Sequence, residues 1–496
     1  MDLLEEHFNM PRNRGEIDAG GTGIAGDEGC GARIRVQVAF GNGFIQQAAF
    51  EAEGSRAAVA AGSLITSMIA GGSWLAAAAL PAATLSAKLG GREALRGAGL
   101  RSAGARLIAT ASGFAVDALH AALTDAARRG TLPALQNSAG RVLVAMSGGV
   151  DSSVACLLEQ RAGREVVGVT MRLAGGPGNA PDAGAGCCSP DAERDARAVC
   201  HQLGLPHLTV DYTGRFREKV IDGFVEEYVA GRTPNPCAAC NASFRFPALM
   251  ELARGLGAGS VATGHYARLA GEAGALSLAR AADESKDQTY MLWGVAVADL
   301  ERIRFPLSEI KKDETRRRAR AAGLVTGDRP ESQDICFIPE GDYRRFLRDY
   351  LRAREMPLPG EGDVVDSAGN RIGSHQGYLD YTVGQRRGLG GGAAEPLYVL
   401  RTIPERNIVV AGTRPELDVS SVVVGSLNVF SPVAEGETLQ ARLRYNSPPV
   451  PAHVITGGDT WRLQLGKPVT GVAPGQSAVL YRDGAVAAGG VIVSTA

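Results

Sequence analysis

The chain has 496 residues, a formal net charge of −1, 45% apolar residues and 21% charged residues. Those totals are ordinary for a globular protein of two to four domains. They exclude a chain-wide electrostatic field for nucleic acid, so any basic contact surface has to be local.

The N-terminus, MDLLEEHF, lacks the basic start and apolar core of a signal peptide, which predicts a reducing, cytoplasmic setting. There the eight cysteines (Cys30, Cys156, Cys187, Cys188, Cys200, Cys237, Cys240 and Cys336) are expected to be chemical or buried rather than disulfide-paired. Residues 57–87 carry no charge and are long enough to span a bilayer. They are rich in Ala, Gly, Ser and Thr and contain Pro81, residues that gain little from lipid. They are read as packed helix and loop, with no membrane contact.

Residues 1–130 are Ala- and Gly-rich and nearly free of Lys, and 131–140 read as a linker. From 141 to 345, apolar runs alternate with helical patterns. RVLVAM, EVVGVTM, HLTVDY and SVATGHY are predicted strands, and SSVACLLEQ and DAERDARAVCHQLG are predicted helices. Such alternation builds an α/β domain with a doubly wound parallel sheet. Gly and turns multiply in a small central domain, 346–412. Residues 413–496 show the short alternating strands of an antiparallel β-barrel.

AMSGGVDSSVA, residues 145–155, follows the first of these strands and opens a helix. Its glycines let backbone N–H groups converge on an anion, its serines add hydroxyl donors, and the helix dipole points at the same place. No GK[ST] lysine is present, and Asp151 suits a phosphate cradle only with Mg²⁺ between them. SGGVDSS resembles the PP-loop of the ATP pyrophosphatase superfamily, with an adenine nucleotide alpha hydrolase-like fold.

GRTPNPCAACN, residues 231–241, places Cys237 and Cys240 in a segment that Pro234 and Pro236 are expected to keep irregular. Without a second CxxC or a His cluster, structural zinc is weakly supported. A thioredoxin-type pair fits the prolines poorly. What remains is a thiol that acts near the nucleotide. Cys336, between Ile335 and Phe337, reads as buried on its own. His265 in TGHYAR reads as a structural imidazole rather than a base. RRRAR, 316–320, is either a nucleic-acid-facing patch or a solvated helix face. Arg386 and Arg387 suit phosphate contact.

With the PP-loop, TPNPCAACN, TGHYAR, SKDQTYML, SQDICFI, SHQGYLDYTVGQRRGLG and PGQSAVLY resemble, in order over about 140–496, the tRNA-specific 2-thiouridylase family. The resemblance implies ATP-dependent 2-thiolation of the wobble uridine of tRNA by a tRNA-uridine 2-sulfurtransferase. The uridine O2 is adenylated, Cys336 carries a persulfide, and Cys240 is the nucleophile that releases sulfur and can end in a disulfide with Cys336. It implies ATP contacts at Ala145, Met146, Ser147, Gly148, Gly149, Val150, Asp151, Ser152, Met171 and Gly264. It implies tRNA contacts at Asn235, Pro236, Cys237, Lys286, Asp287, Gln288, Arg444 and Tyr445. Members with three cysteines here are candidates for a [4Fe–4S] cluster on Cys237, Cys240 and Cys336. A cysteine desulfurase or sulfur-carrier protein is the implied donor. The rivals are an amide-forming PP-loop synthetase, which needs no cysteine pair, and a sulfur carrier or Fe–S binding protein without turnover.

HFNMPRNRGEI, GCGARIRVQVAFGNGFIQQAAFEAEGSRAAVAAGS and DALHAALTDAARR resemble the IscU/NifU iron–sulfur scaffold, an α+β domain. Cys30 stands at the first ligand position of that family, Ser55 at the second, and Thr110 and Ala111 at the third, with Ala32 where the family has Asp. A lone thiolate does not hold a [2Fe–2S] cluster. The domain is therefore expected to be a docking surface, with Cys30 as a candidate sulfur relay toward Cys336.

Overall fold

A computed structural model of the chain describes all residues except Met1, Glu28, Cys30, 91–102, 174–188, 331–334, 339–340 and 390–394. Strands β1 (Gly21–Asp27), β2 (Ala32–Gly41) and β3 (Phe44–Glu53) form an antiparallel sheet in that order. The helices Arg56–Ile69 and Ala103–Arg129 cover it. A Cβ on Gly23 would lie 2.1 Å from the Ala118 carbonyl oxygen, so β1 runs directly against the longer helix. The uncharged segment forms helices Arg56–Ile69, Trp74–Ala78 and Ala82–Lys88, the first of them almost wholly buried in the protein. The stretch Gly104–Arg129 is long and apolar enough to cross a membrane. Its Ala115, Ala118, Leu119, Ala122 and Leu123 are buried in a core shared with Leu143, Val167 and Leu208, as in a core helix.

The parallel sheet comprises β4 (Ser138–Ala145), β5 (Glu165–Arg172), β6 (His207–Asp211), β7 (Ala258–Ala262) and β10 (Ile303–Arg304), ordered β10-β7-β4-β5-β6. The expected strands fall on β4 to β7, because fully buried parallel strands are continuous apolar runs. Helices Val150–Arg161 and Pro190–Gln202 pack against one face, with Val154, Cys156, Val199 and Cys200 in a common core. The other face receives the N-terminal domain. Leu143, Val167, Val169 and Leu208 of the sheet join Ala115, Leu119 and Leu123 in one cluster.

Three histidines meet at this junction. The His120 ring lies 5.2 Å from His201 and 6.2 Å from His207, beside the Arg197–Asp117 pair. His207 Nε2 meets Thr170 Oγ1 at 2.8 Å, whereas His120 Nε2 and His207 Nδ1 are buried without a partner. Burial lowers His120 and His207 well below the ordinary imidazole range and brings His201 to about 4. The folded state therefore resists protonation that the unfolded chain accepts below about pH 6.5. Stability is expected to be flat above that pH and to fall as pH drops from 6.5 toward 4, by at most about 1.4 kcal/mol per pH unit for each histidine. Denaturant titrations across pH check this, with His201→Gln expected to flatten the slope.

The central domain holds β11 (Gly362–Val365), β12 (Arg371–His375), β13 (Tyr398–Ile403) and β14 (Ile408–Gly412), ordered β12-β11-β14-β13. The last six strands are β15 (Asp418–Val429), β16 (Thr438–Arg442), β17 (Val450–Ile455), β18 (Trp461–Thr470), β19 (Ser477–Arg482) and β20 (Ala485–Thr495). They form a barrel, β15-β18-β17-β16-β19-β20, closed by β15 against β20. A hairpin from the parallel-sheet domain, β8 (Arg268–Ala270) and β9 (Ser277–Ala279), joins it where Ala279 pairs with Ala485. Trp293 Nε1 donates to Ser477 Oγ at 2.9 Å and Tyr290 donates to the Ser477 carbonyl at 3.0 Å, fastening the two domains.

Candidate active site

The phosphate loop leaves β4 at Ala145 and enters the helix at Val150. Gly148 has φ +70, and a Cβ there would sit 2.2 Å from the Ala192 carbonyl oxygen, so both its conformation and its surroundings require glycine. Ser147 N donates to Ser152 Oγ at 3.1 Å, and Ser152 and Ser153 donate to the Gly149 carbonyl at 3.1 and 2.8 Å. The serines expected to meet an anion thus first shape the loop. Gly149 caps the helix without a side-chain acceptor, so the positive helix end faces the loop mouth. Gly264 crosses this end so closely that a Cβ would lie 2.6 Å from Ser152 N. Met171 is the penultimate residue of the neighbouring β5, at the carboxyl edge where open α/β sheets bind ligands. The ATP contacts implied by the resemblance therefore gather at one place.

Asp151 lies in the first turn of the helix. Lys312 Nζ reaches both its oxygens at 2.7 Å, and Tyr266 donates to Oδ1 at 3.1 Å. The carboxylate expected to meet Mg²⁺ is held by an ammonium group instead. The sequence pattern does not single out Lys312, whose KKDE context looks like an ordinary charged helix. It lines a cleft of about 690 Å³ with Lys286, Lys311, Arg316 and Asp283. Within RRRAR, Arg317 and Arg318 pair with Glu314 and Arg320 pairs with Asp328, while Arg316 lines the cleft. Three of the four arginines thus belong to a solvated helix face.

The CxxC segment departs from the expectation of irregular structure. Pro236–Cys240 is a helical turn, capped by Asn235 Oδ1, which accepts from Ala238 N at 3.2 Å. Pro236 sits at the first helical position, where its missing N–H costs nothing and its fixed φ helps. The helix widens to a π turn over Asn241–Arg245 and continues as Phe246–Gly255. Cys237 is exposed and Cys240 buried. Cys240 belongs to an apolar cluster with Phe216, Phe224, Phe244, Phe337 and Phe346, and the half-buried Cys336 packs against it. The Phe337 ring lies 5.3 Å from both Phe224 and Phe346. Far apart in sequence, the two thiols border one apolar cluster. Met171 packs on the same cluster, joining it to the nucleotide edge. Among the described residues no three His, Cys, Asp or Glu side chains are arranged to hold a metal ion.

His265 Nδ1 meets Thr263 Oγ1 at 2.8 Å, and burial, then the Arg245 charge, lower it to about 3. It stays neutral at working pH, as a structural imidazole does.

Of the implied tRNA contacts, Lys286 lines the cleft and Gln288 Oε1 accepts from Tyr266 N at 2.8 Å. Asp287 is buried, hydrogen-bonded to Thr289 Oγ1 at 2.8 Å and paired with Arg442 at 3.5 Å. Burial pushes its carboxyl up, with Thr289 and Arg442 pulling back. Its side chain organises the site from inside. Tyr445 is exposed, and Arg444 Nη1 donates to the Thr470 carbonyl at 3.3 Å. Arg442, which sequence reasoning misses, lies 5.6 Å from the Tyr290 ring centre and 5.7 Å from that of Tyr445. An Arg442→Ala variant is expected to lose about 2–3 kcal/mol of stability, since Asp287 is left buried without its cation. Weaker tRNA retention should accompany it as Tyr445 loses its support; thermal melts and filter binding check both.

In the N-terminal domain Cys30 lies outside the described residues, as do Cys187 and Cys188. Ser55 caps the helix Arg56–Ile69 through Ala58 N at 3.2 Å, and Ala111 and Ala32 are buried. Two of the positions matched to the scaffold's ligands by resemblance thus hold a helix cap and a buried alanine.

A phosphate loop at the carboxyl edge of a parallel sheet, with two cysteines on an apolar cluster that Met171 also touches, defines a nucleotide-binding domain of the PP-loop class. Family models agree. Residues 140–340 match a tRNA methyl transferase HUP domain, 344–413 a tRNA methyl transferase PRC-barrel domain, 420–492 an aminomethyltransferase beta-barrel domain and 2–128 a NifU-like N-terminal domain. The chain is 44% identical over 501 residues to the bifunctional protein NifU/MnmA of Rubrobacter xylanophilus, covering 99% of this chain and 97% of that one. It is 44% identical to the tRNA-specific 2-thiouridylase MnmA of Acidithiobacillus ferrooxidans (72% of this chain, 99% of that one). It is 45% identical to that of Chloroflexus aurantiacus (71% and 98%). The chain belongs to the MnmA tRNA 2-thiouridylase family, in its NifU-fused form.

Proposed function

We propose that the chain is a cytoplasmic tRNA-uridine 2-sulfurtransferase acting on the wobble uridine with ATP. The uridine O2 attacks the α-phosphorus, pyrophosphate leaves, and the adenylated oxygen becomes a good leaving group. The terminal sulfur of a Cys336 persulfide attacks C2 and expels AMP. The Cys240 thiolate then attacks the Cys336 sulfur, so that the C2–S bond keeps the transferred sulfur and Cys240–Cys336 becomes a disulfide. The sulfane sulfur is reduced to the thiocarbonyl while two thiols are oxidised, and an external thiol resets the pair. The phosphate loop and Gly264 hold the nucleotide. Asn235, Pro236, Cys237, Lys286 to Gln288, Arg444 and Tyr445 receive tRNA, with extrusion of the base costing about a few kcal/mol. A cysteine desulfurase or carrier supplies the persulfide, and residues 1–130, 141–345, 346–412 and 413–496 act as its domains.

The observation that carries this reading is the placement of Cys240 and Cys336 on one apolar cluster that Met171 links to the phosphate-loop edge. The test supplies ATP, bulk tRNA, cysteine and a desulfurase, and measures AMP and 2-thiouridine together. Stoichiometric appearance of both is expected. Sulfur loading that depends on both cysteines but releases no AMP would favour a carrier and overturn the reading.

A further inference from the structure

The helix Pro190–Gln202 touches the phosphate loop at one end and the N-terminal domain at the other. In its first turn Ala192 leaves no room beside Gly148 for a Cβ. Asp195 pairs with Arg329, whose Nη1 donates to the Gly148 carbonyl at 3.0 Å. Glu193 grips Arg172 at 2.9 Å and accepts from Thr209 Oγ1 at 2.9 Å, tying this end to β5 and β6. Toward its C-terminus Arg197 pairs with Asp117 of the helix Ala103–Arg129. His201 Nε2 lies 3.3 Å from the Ala78 carbonyl oxygen and its ring 5.2 Å from His120. Ala192 and His201 are nine residues apart on a stiff rod, roughly 13 Å.

We infer that the N-terminal domain sets the position of the phosphate loop through this helix, with Asp117 and Arg197 as positioning residues for ATP. The loop has little slack on that side. Gly148 is in contact with the helix backbone and also bound to Arg329, so displacement of the rod changes the anion cradle directly. The Arg197–Asp117 pair is partly enclosed, with the Arg197 side chain 14% and the Asp117 side chain 38% exposed, so reversing one charge places like charges side by side with only partial screening by water. A fused domain without its ligand set thereby has work to do in the adenylation half.

This inference rests on the ATP-dependent reading above, and wild-type AMP release with tRNA checks that reading separately. Arg197→Asp and Asp117→Arg are each expected to raise KM for ATP about five-fold or more, at the low end of ordinary coupling between sites, with KM for tRNA and kcat changed by less than about two-fold. The exchanged double variant, Arg197→Asp with Asp117→Arg, is expected to restore KM for ATP. Unchanged KM for ATP in both single variants overturns the inference. So does a double variant as impaired as the singles, or loss of all activity in the singles that the exchange does not recover, because the pair would then serve folding alone.

Discussion

Cys240→Ser is expected to lower 2-thiouridine formation by at least about 10³-fold, as loss of a nucleophile ordinarily does. Release of AMP with tRNA should persist within a few-fold of wild type, because the proposed scheme uses Cys240 only after adenylation and its side chain sits in the apolar cluster. Its neighbours make the substitution informative. The thiol is buried beside Phe244 and Phe216, whose rings lie 5.3 Å apart. Serine is nearly isosteric, so the change removes nucleophilicity while sparing the packing. Cys336→Ser should give the same split, since the proposed scheme places the persulfide there. Single-turnover assays with persulfide-loaded enzyme, following AMP and thiolated tRNA separately, check both. Loss of AMP release along with thiolation would show that Cys240 belongs to the adenylation step instead.

The second large effect is expected at Lys312. Its Nζ is 2.7 Å from both Asp151 oxygens, and it lines a cleft whose walls carry both acidic and basic side chains. A cation there can turn from carboxylate to polyphosphate as the nucleotide arrives, at little cost in reorganisation. Lys312→Ala is expected to slow pyrophosphate release by about 10²–10³-fold, the ordinary cost of removing one electrostatic stabiliser. Lys312→Arg should recover part of the rate, since charge survives but the point-like ammonium geometry does not. Stability should fall by only about 1 kcal/mol, because Asp151 is a third exposed and water compensates it. Isotope exchange between ATP and pyrophosphate in the presence of tRNA, alongside a denaturant melt, checks the pair. Unaltered exchange in Lys312→Ala would reduce Lys312 to a structural counter-ion.

The parts of this protein that are legible in sequence are those written by local physics. Four buried parallel strands appear as continuous apolar runs, the barrel as alternation, and the phosphate loop as a glycine pair between strand and helix. Three features escape for different reasons. Lys312 stands 161 positions from Asp151, and no pattern in a charged helix marks the one lysine that turns inward. Arg442 acquires its role from Tyr290 and Asp287, which reach it only across a domain junction. Pro236 reads as a breaker although, one place after Asn235, it is a helix starter. The junction between the first domain and the parallel sheet is equally hidden, because an apolar helix face does not say which partner it will meet.

That junction bears on how such a chain can change over generations. Leu119 and Leu123 are packed in the same interior as Val167 and Leu208, so the first 130 residues form a wall of the parallel-sheet domain as well as a module of their own. A module attached by a loose tether could erode or be shed once its cluster ligands were gone. One whose removal would strip the cover from a neighbour's sheet is retained by that neighbour's need for shelter, whatever becomes of its original chemistry.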